Sequence, residues 1–243
     1  MILEQILDTL EDAPLQGVWV GAFWTAVVVS RAGRRRCGLA ATERGEGRHH
    51  DQPPVGWAGH LHEHSALELA HLSLSGERLE ATIGVAAINA LLEVDEDRCQ
   101  EENALLTLQR EGAGKRVALV GHFPFVPRLR PAVGELTVLE LHPREGDLPA
   151  GQGAMVLPRA DVVAITASAI INHTIEPLLA LCRPGAYLMV LGPTSPLSPV
   201  LFRCGVAAIA GSLVVDIPSA LRCLRQGATF RQMEGMRTVV MTR

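Results

Sequence analysis

A run of alternating histidines is the part of the sequence that most resembles a metal site. His60, His62 and His64 are separated by single residues, and in an extended segment their imidazoles would point to the same side. Three imidazoles so placed could bind Zn²⁺, Ni²⁺ or Cu²⁺, with the HHD triplet at 49–51 completing the coordination shell. The spacing therefore predicts a transition-metal site, and the alternative is a solvated loop that binds metal only adventitiously.

A second set of candidate residues follows apolar runs that predict buried strands. Ligands of open parallel sheets bind outside the carboxyl ends of the strands, so residues at those ends are candidates for ligand binding. They are Gly121, His122, Phe123, Glu140, Thr166, Ser168, Gly192, Thr194 and Ser195. His122 could serve as a general acid or base, a metal ligand or a phosphate donor. The alternative for His122 is a packing turn fixed by Pro124 and Phe125.

Glu140 is the residue that could recognise a ribose. A strand, a turn at Gly121 and an acidic residue about 20 positions later form the skeleton of a nucleotide-binding βαβ unit, in which the acid hydrogen-bonds the ribose diol. The glycine pattern of that unit is absent, because Gly121 stands alone and two prolines stiffen the turn. Alternatively, Glu140 could form a surface ion pair with Arg144 or Arg128.

Other polar positions could bind an anion or serve only the fold. The loop 192–195 offers hydroxyls and backbone N–H groups suited to an anion, or is simply a proline-rich turn. Asn172 and Thr174 stand at a predicted helix start, where N–H groups favour anions, and as caps they need no ligand. Asn89 lies in an otherwise apolar helix, so it is predicted either to reach an interdomain cleft or to bond a backbone carbonyl.

The spacing of apolar residues predicts the elements that position these side chains. In the second half, strands are expected near 117–120, 136–141, 161–166, 186–191 and 206–210, with helices such as 172–182 and 219–226 between them. Such alternation predicts an α/β fold with a mostly parallel sheet and helices on both faces.

The first half predicts a smaller α+β unit. Helices are expected over 2–10, 65–72 and 78–92, and strands over 18–30 and 38–41, joined by a turn at 32–34. Ser65 and Glu68 match a capping box at the start of the second helix. Gly84 and the alanines around it give the third helix a thin surface suited to close packing. We place the boundary between the two domains so that they span residues 1–112 and 113–243.

Composition excludes several classes of protein. Of 243 residues, 48% are hydrophobic and 20% charged, and no apolar run is long enough to span a bilayer. The net charge of −4 argues against nucleic-acid binding, which requires clustered Lys and Arg. Five widely separated cysteines indicate reduced thiols rather than a disulfide framework. Because the N-terminus lacks the basic region of a signal peptide, we expect a cytoplasmic protein without membrane partners.

Several of these segments together resemble one family. The motifs are GHFPF at 121–125, LELHPREGDLP at 139–149, ADVVAITASAIINHT at 160–174, LGPTSPLSP at 191–199 and IGVAAINALL at 83–92. They resemble the heavy-metal-chelation family, a group of prokaryotic proteins, over nearly the whole chain. The resemblance implies an N-terminal domain similar to the enolase N-terminal fold, a C-terminal Rossmann-like domain, and a site in the cleft between them.

These observations lead to one functional hypothesis and two competitors. We expect a binding protein whose interdomain cleft holds a small anionic molecule or a metal chelate, with a role in heavy-metal chelation. The first alternative is an enzyme of chelator or cofactor biosynthesis that uses a nucleotide-type cosubstrate such as S-adenosylmethionine. The second is a scaffold whose apolar faces form a homo-oligomer, for which a homodimer is expected. The cofactor would accordingly be a transition metal ion or a nucleotide-type ligand.

Overall fold

The computed structural model describes residues 1–45 and 53–243. The chain forms a three-stranded antiparallel sheet and an eight-stranded, mostly parallel sheet with helices packed against it. The predicted mixed α/β fold class is thereby confirmed. None of the described helices is both long and apolar enough to span a membrane.

The small sheet and three helices make up the N-terminal part. Its elements are α1 (Ile2–Leu7), β1 (Leu15–Val20), β2 (Trp24–Arg31), β3 (Arg34–Ala41), α2 (Ala66–His71) and α3 (Arg78–Leu91). The single strand predicted over 18–30 is wrong, because the chain reverses there and Gly21 N donates to Trp24 O across a tight turn (2.8 Å). The turn predicted at 32–34 is present, with positive φ at Ala32 and Gly33, as right-twisted hairpins favour.

Helix α3 packs directly against backbone on two sides. A Cβ atom on Gly84 would lie 1.9 Å from Ser73 N, and one on Gly38 of β3 would lie 2.1 Å from Ala86 O. The thin glycine- and alanine-rich surface predicted for this helix therefore contacts both the preceding turn and the small sheet. Helix α2 begins with the predicted capping box, in which Ser65 Oγ accepts from Glu68 N (3.1 Å).

The remaining elements build the large sheet and its cover. They are β4 (Cys99–Gln100), α4 (Ala104–Gly112), β5 (Arg116–Val120), α5 (Val126–Leu129), β6 (Glu135–Glu140), β7 (Leu148–Pro149), α6 (Gly153–Val156), β8 (Val162–Thr166), α7 (Ser168–Ile171), α8 (Ile175–Ala180), β9 (Tyr187–Leu191), α9 (Val200–Arg203), β10 (Ala208–Val214), α10 (Ile217–Arg225) and β11 (Met236–Thr242). Short 3₁₀ turns occur at Leu61–Glu63, Leu72–Leu74, Glu96–Arg98, Arg130–Ala132, Ala150–Gln152, Leu157–Arg159 and Phe230–Gln232.

The order of strands in the large sheet creates a topological switch point. The order is β4-β11-β10-β9-β8-β5-β6-β7, and the strands from β10 to β7 are parallel. From β5 the chain runs to β6 and β7 on one side and then returns to β8 on the other. The crevice outside the carboxyl ends of β5 and β8 is the position where such sheets bind ligands.

The helix predicted over 172–182 is shorter than expected. Helix α7 ends at Ile171, and α8 begins only at Ile175 after a turn in which His173 has a φ of +59°. A non-glycine residue in this left-handed region interrupts the helical hydrogen-bond pattern. The interruption places Asn172 and Thr174 near the carboxyl ends of the strands, in the lining of the cleft described below.

One hydrophobic cluster joins the two parts of the molecule. It contains buried residues of α1, α3 and β2 together with residues of β8, β9 and β10. Strand β4 pairs with β11, and Leu105 and Leu108 of α4 pack against β5, although both elements lie within residues 1–112. The division into domains at 1–112 and 113–243 stays a prediction.

Candidate functional site

A cleft of about 550 Å³ lies at the switch point. Its lining comes from the ends of β5, β6 and β8, from the turn between α7 and α8, and from the N-terminal part. Eight predicted site residues line it: Gly121, His122, Phe123, Glu140, Thr166, Ser168, Asn172 and Thr174. The other walls are mostly apolar and include Leu139, Leu178 and Leu181.

His122 is held in one orientation by a buried carboxylate. Its Nδ1 lies 2.8 Å from Asp147 Oδ2, and the Asp147 side chain is only 1% exposed. Burial by itself would raise the pKa of Asp147, but the hydrogen bonds from Arg144 N and from His122 outweigh burial and lower that pKa. A carboxylate that accepts from Nδ1–H leaves the lone pair of Nε2 available, the arrangement found behind many metal-binding and general-base histidines.

Glu140 closes the turn after β5. Its Oε2 accepts from His122 N (2.7 Å) and its Oε1 accepts from Leu141 N (2.7 Å). Within the described residues it forms no ion pair with Arg144 or Arg128, so that expected alternative is wrong. Each carboxylate oxygen keeps a second lone pair for a ligand in the cleft.

Gly121 allows the turn to approach the neighbouring strand. Its φ is +101°, and a Cβ atom there would lie 3.0 Å from Thr166 Cβ. A side chain at this position would therefore be both strained and crowded. The close approach brings His122 and Thr166 to the same side of the cleft.

Other short side chains that line the cleft bond nearby backbone amides. Thr166 Oγ1 accepts from Ser168 N (3.4 Å), and Asn172 Oδ1 accepts from both the N–H (3.1 Å) and the hydroxyl (2.5 Å) of Thr174. These bonds shape the ends of β8 and α7. They also consume N–H groups that a bound anion would need.

An ion pair from the N-terminal part borders the cleft. Arg78, the first residue of α3, donates to Glu43 Oε2 (3.0 Å), and Glu43 N is held by Thr82 Oγ1 (3.2 Å). The two side chains are 37% and 24% exposed. Sequence reasoning missed both residues and Asp147, because nothing in the local pattern distinguishes them from solvated surface charges.

His173 ties the two parts together beside the cleft. Its Nε2 lies 2.8 Å from Ser73 O, in the turn that packs on Gly84. Because a carbonyl oxygen only accepts, Nε2 must carry the proton. The contact fixes the left-handed turn that carries Asn172 and Thr174.

Four predicted site residues do not line the cleft. Asn89 Nδ2 donates to Leu39 O (2.8 Å) and Thr194 O (3.0 Å), which is the backbone-bonding alternative for Asn89. Thr194 Oγ1 accepts from Ala41 N (2.9 Å), so the loop 192–195 packs against the small sheet. Thr194 and Ser195 are each 3% exposed, and Gly192 N bonds Ala210 O (3.1 Å). The bonds of Asn89 and Thr194 join the two parts of the molecule, and none of the four residues lines the cleft.

The histidines at 60, 62 and 64 do not converge. The segment was expected to be extended, but Leu61–Glu63 is a 3₁₀ turn, in which alternate side chains no longer share a side. His60 bonds Glu63 Oε1 (2.8 Å), His62 is 73% exposed, and His64 stacks on Trp57 with ring centroids 3.8 Å apart. The HHD triplet at 49–51 lies outside the described residues.

Metal-ligating side chains are not gathered elsewhere in the described chain. Across residues 1–45 and 53–243, no three His, Cys, Asp or Glu side chains are placed to hold a metal ion. Burial raises the pKa of Cys37 to about 12 and that of Cys182 to about 11, so both thiols stay protonated near neutral pH. A bare ion would therefore find few protein ligands among the described residues.

Comparison with known proteins supports the resemblance read from the strand-end motifs. An uncharacterized protein of Methanocaldococcus jannaschii is 27% identical over 221 residues, covering 87% of this chain and 83% of that protein. Crystal structures of DUF364-family proteins of unknown function are similar over 100% of this chain and 98% of theirs. The one from Desulfitobacterium hafniense is 25% identical with a TM-score of 0.85, and the one from Pyrococcus horikoshii is 26% identical with a TM-score of 0.86.

Family models match both parts of the chain. Residues 3–92 match DUF4213 and residues 103–243 match DUF364, and each model carries the description "Putative heavy-metal chelation". The predicted family is thereby confirmed. The chain belongs to the DUF364 heavy-metal-chelation family.

Proposed function

We propose that the protein binds a small molecule or a metal chelate in the cleft between its N-terminal and C-terminal parts and acts in heavy-metal chelation. The observation that carries the proposal is the His122–Asp147 pair. Because Nδ1 is bonded to Asp147, the lone pair of His122 Nε2 is available to a metal. In the described part of the chain, Nε2 has no hydrogen-bond partner. The family description supports a role in metal binding.

A chelated metal fits this cleft better than a bare ion. Protein zinc sites take three or four ligands, whereas the described residues offer no group of three. A small chelator would supply the remaining ligands and would fill the apolar walls formed by Leu139, Leu178 and Leu181. His122 would then contribute one nitrogen to a metal that arrives already complexed.

Native mass spectrometry of gently purified protein, with elemental analysis of the same sample, tests this proposal. The wild type should carry a stoichiometric adduct containing a transition metal. His122→Ala should lose this adduct. Asp147→Asn should weaken binding of the adduct by about 10–100-fold, because Asp147 orients the His122 imidazole toward the metal. His62→Ala is the matched control, since that imidazole is exposed and outside the cleft, and it should retain the adduct. An adduct lost in His62→Ala but kept in His122→Ala would move the site to the histidine-rich segment.

A second candidate is an enzyme that uses a nucleoside cosubstrate such as S-adenosylmethionine. The position of Glu140 at the end of β6, beside the switch point, favours it, because acidic residues there bind the ribose diol in related folds. Titration calorimetry with S-adenosylmethionine should then give binding that Glu140→Gln weakens at least tenfold. Unchanged affinity in that variant would remove this candidate.

A further inference from the structure

Resting on the proposed function, we infer that the cleft is built for a cationic metal complex and discriminates against anionic and phosphate-bearing ligands. Notably, the family of folds to which the large sheet belongs commonly binds phosphates at this position, through backbone N–H groups at strand ends. The polar atoms of this cleft have the opposite character.

The first line of support is the use of backbone donors. Glu140 takes the N–H groups of His122 and Leu141, Thr166 takes that of Ser168, and Asn172 takes that of Thr174. Four amides at the lips of the cleft are thus occupied by side-chain oxygens. A phosphate would have to displace these short-range bonds to obtain its donors, at a cost for every acceptor left unpaired.

The second line of support is charge. Two carboxylates, Glu43 and Glu140, line the cleft, and Arg78 is the one basic side chain among its described lining residues. Arg78 is itself paired with Glu43. The buried carboxylate of Asp147 lies directly behind His122. An entering cation therefore meets lone pairs and excess negative charge, whereas an anion meets repulsion.

The third line of support is the apolar remainder of the wall. Phe123 stacks on Phe125 with ring centroids 5.2 Å apart, and leucines complete the lining. Such a surface accepts a flat, apolar chelator whose metal faces His122. The ligand class is thus a transition metal held by an uncharged, planar chelator with one open coordination position.

Two zinc complexes of opposite charge test the inference by titration calorimetry. Phenanthroline is a planar, uncharged chelator, so its 1:1 Zn²⁺ complex is cationic, whereas nitrilotriacetate makes the Zn²⁺ complex anionic. Both chelators leave coordination positions on the metal that a protein side chain can take. We expect the wild type to bind the phenanthroline complex at least tenfold more tightly, His122→Ala to lose that binding, and inorganic pyrophosphate to give no thermal stabilisation.

Charge variants sharpen the test. Glu43→Gln should weaken binding of the phenanthroline complex by about threefold to tenfold, and Arg78→Gln should strengthen it by a similar factor, with both effects shrinking at high salt. Four results would overturn the charge inference and leave the proposed function standing. They are equal binding of the two complexes, tighter binding of the anionic complex, effects of the same sign in the two charge variants, and thermal stabilisation by pyrophosphate. Binding of neither complex would count against both.

Discussion

At the scale of single residues, several carboxylates in this protein accept hydrogen bonds from backbone amides. Asp147 accepts from Arg144 N as well as from His122, and Glu140 bonds two amides. Asp161 does the same at the opposite edge of the sheet, where it accepts from Arg116 N and pairs with Arg183. Each carboxylate therefore links segments that are distant in sequence.

Asp161 gives the protein a specific response to acid. The hydrogen bond from Arg116 N, followed by those from the Arg116 and Arg183 side chains, lowers the pKa of Asp161 from 3.8 to about 2. Because the pKa is lower in the folded state, the stabilisation by Asp161 is complete above about pH 4 and is lost as the pH falls toward 2. Urea unfolding at pH 7 and pH 3 should show that Asp161→Asn loses more stability at pH 7 than at pH 3.

Asp97→Asn provides the control for this measurement. Asp97 is exposed, and with the described residues it makes no hydrogen bond or ion pair. Its replacement should leave the stability difference between pH 7 and pH 3 unchanged. An Asp161→Asn protein with the same pH dependence as the wild type would contradict the assignment.

At the scale of elements, turns that contact α3 set the shape of the cleft. The turn at 72–74 packs on Gly84 without an intervening side chain, and it presents Ser73 O to His173. The start of the same helix carries Arg78 at the border of the cleft. Helix α3 thus positions both the turn that bonds His173 and the Arg78–Glu43 pair at the border of the cleft.

Replacing Gly84 tests this close packing. In Gly84→Ala the new Cβ would lie 1.9 Å from Ser73 N, so the turn must move. We expect a loss of about 1–3 kcal/mol or more, measured by urea unfolding. In Gly76→Ala the new Cβ has no neighbour within 4 Å, and the change should stay within about 0.5 kcal/mol. Equal stability of the two variants would refute the packing argument.

Replacing His173 with glycine tests whether its contact shapes the cleft without changing the stability of the protein. His173→Gly removes the bond to Ser73 O, a loss of about 1 kcal/mol, but also relieves a left-handed residue that costs about 1–2 kcal/mol. The melting temperature should therefore stay close to that of the wild type. Affinity for the zinc–phenanthroline complex should fall several-fold, because Asn172 and Thr174 lose their fixed turn. Wild-type affinity in this variant would show that the contact does not shape the cleft.

At the scale of the whole molecule, the two parts share one core and several bonds. Ile2 N bonds Glu176, Ala41 N bonds Thr194, and Asn89 bonds the Thr194 carbonyl. With the common hydrophobic cluster, these bonds hold the walls of the cleft in fixed relation. Because the cleft is already formed, little binding free energy is lost to ordering its walls when a ligand binds.

The expected homodimer is a prediction at this scale. Val20 at the end of β1 and Phe23 in the turn that follows are 45% and 51% exposed, so they are candidates for a contact between copies. Size-exclusion chromatography with light scattering should give a dimer, and Phe23→Ser should shift it toward monomer. Leu106→Ser is the matched control, because Leu106 is also 51% exposed but lies on α4. A wild-type monomer at working concentrations would contradict the expectation.

The sequence by itself determined those features that depend on neighbouring residues. The capping box of Ser65 and Glu68, the turn at Ala32–Gly33 and the apolar runs of β5, β6, β8 and β9 are local patterns, and the alternation of the strands with helices implied the parallel sheet. The placement of the candidate residues at the carboxyl ends of the strands was predictable for the same reason, since it follows from where parallel strands end.

Only the tertiary structure decided which side chains meet. Asp147 reaches His122 across 25 positions, and Arg78 reaches Glu43 across 35, in pairings that no local pattern signals. The loop 192–195 turned toward the small sheet because Ala41 N and Asn89 bond Thr194 there. The histidines of 60–64 were separated by a 3₁₀ turn. Local physics specifies elements, whereas a site depends on distances between elements that only the packed core establishes.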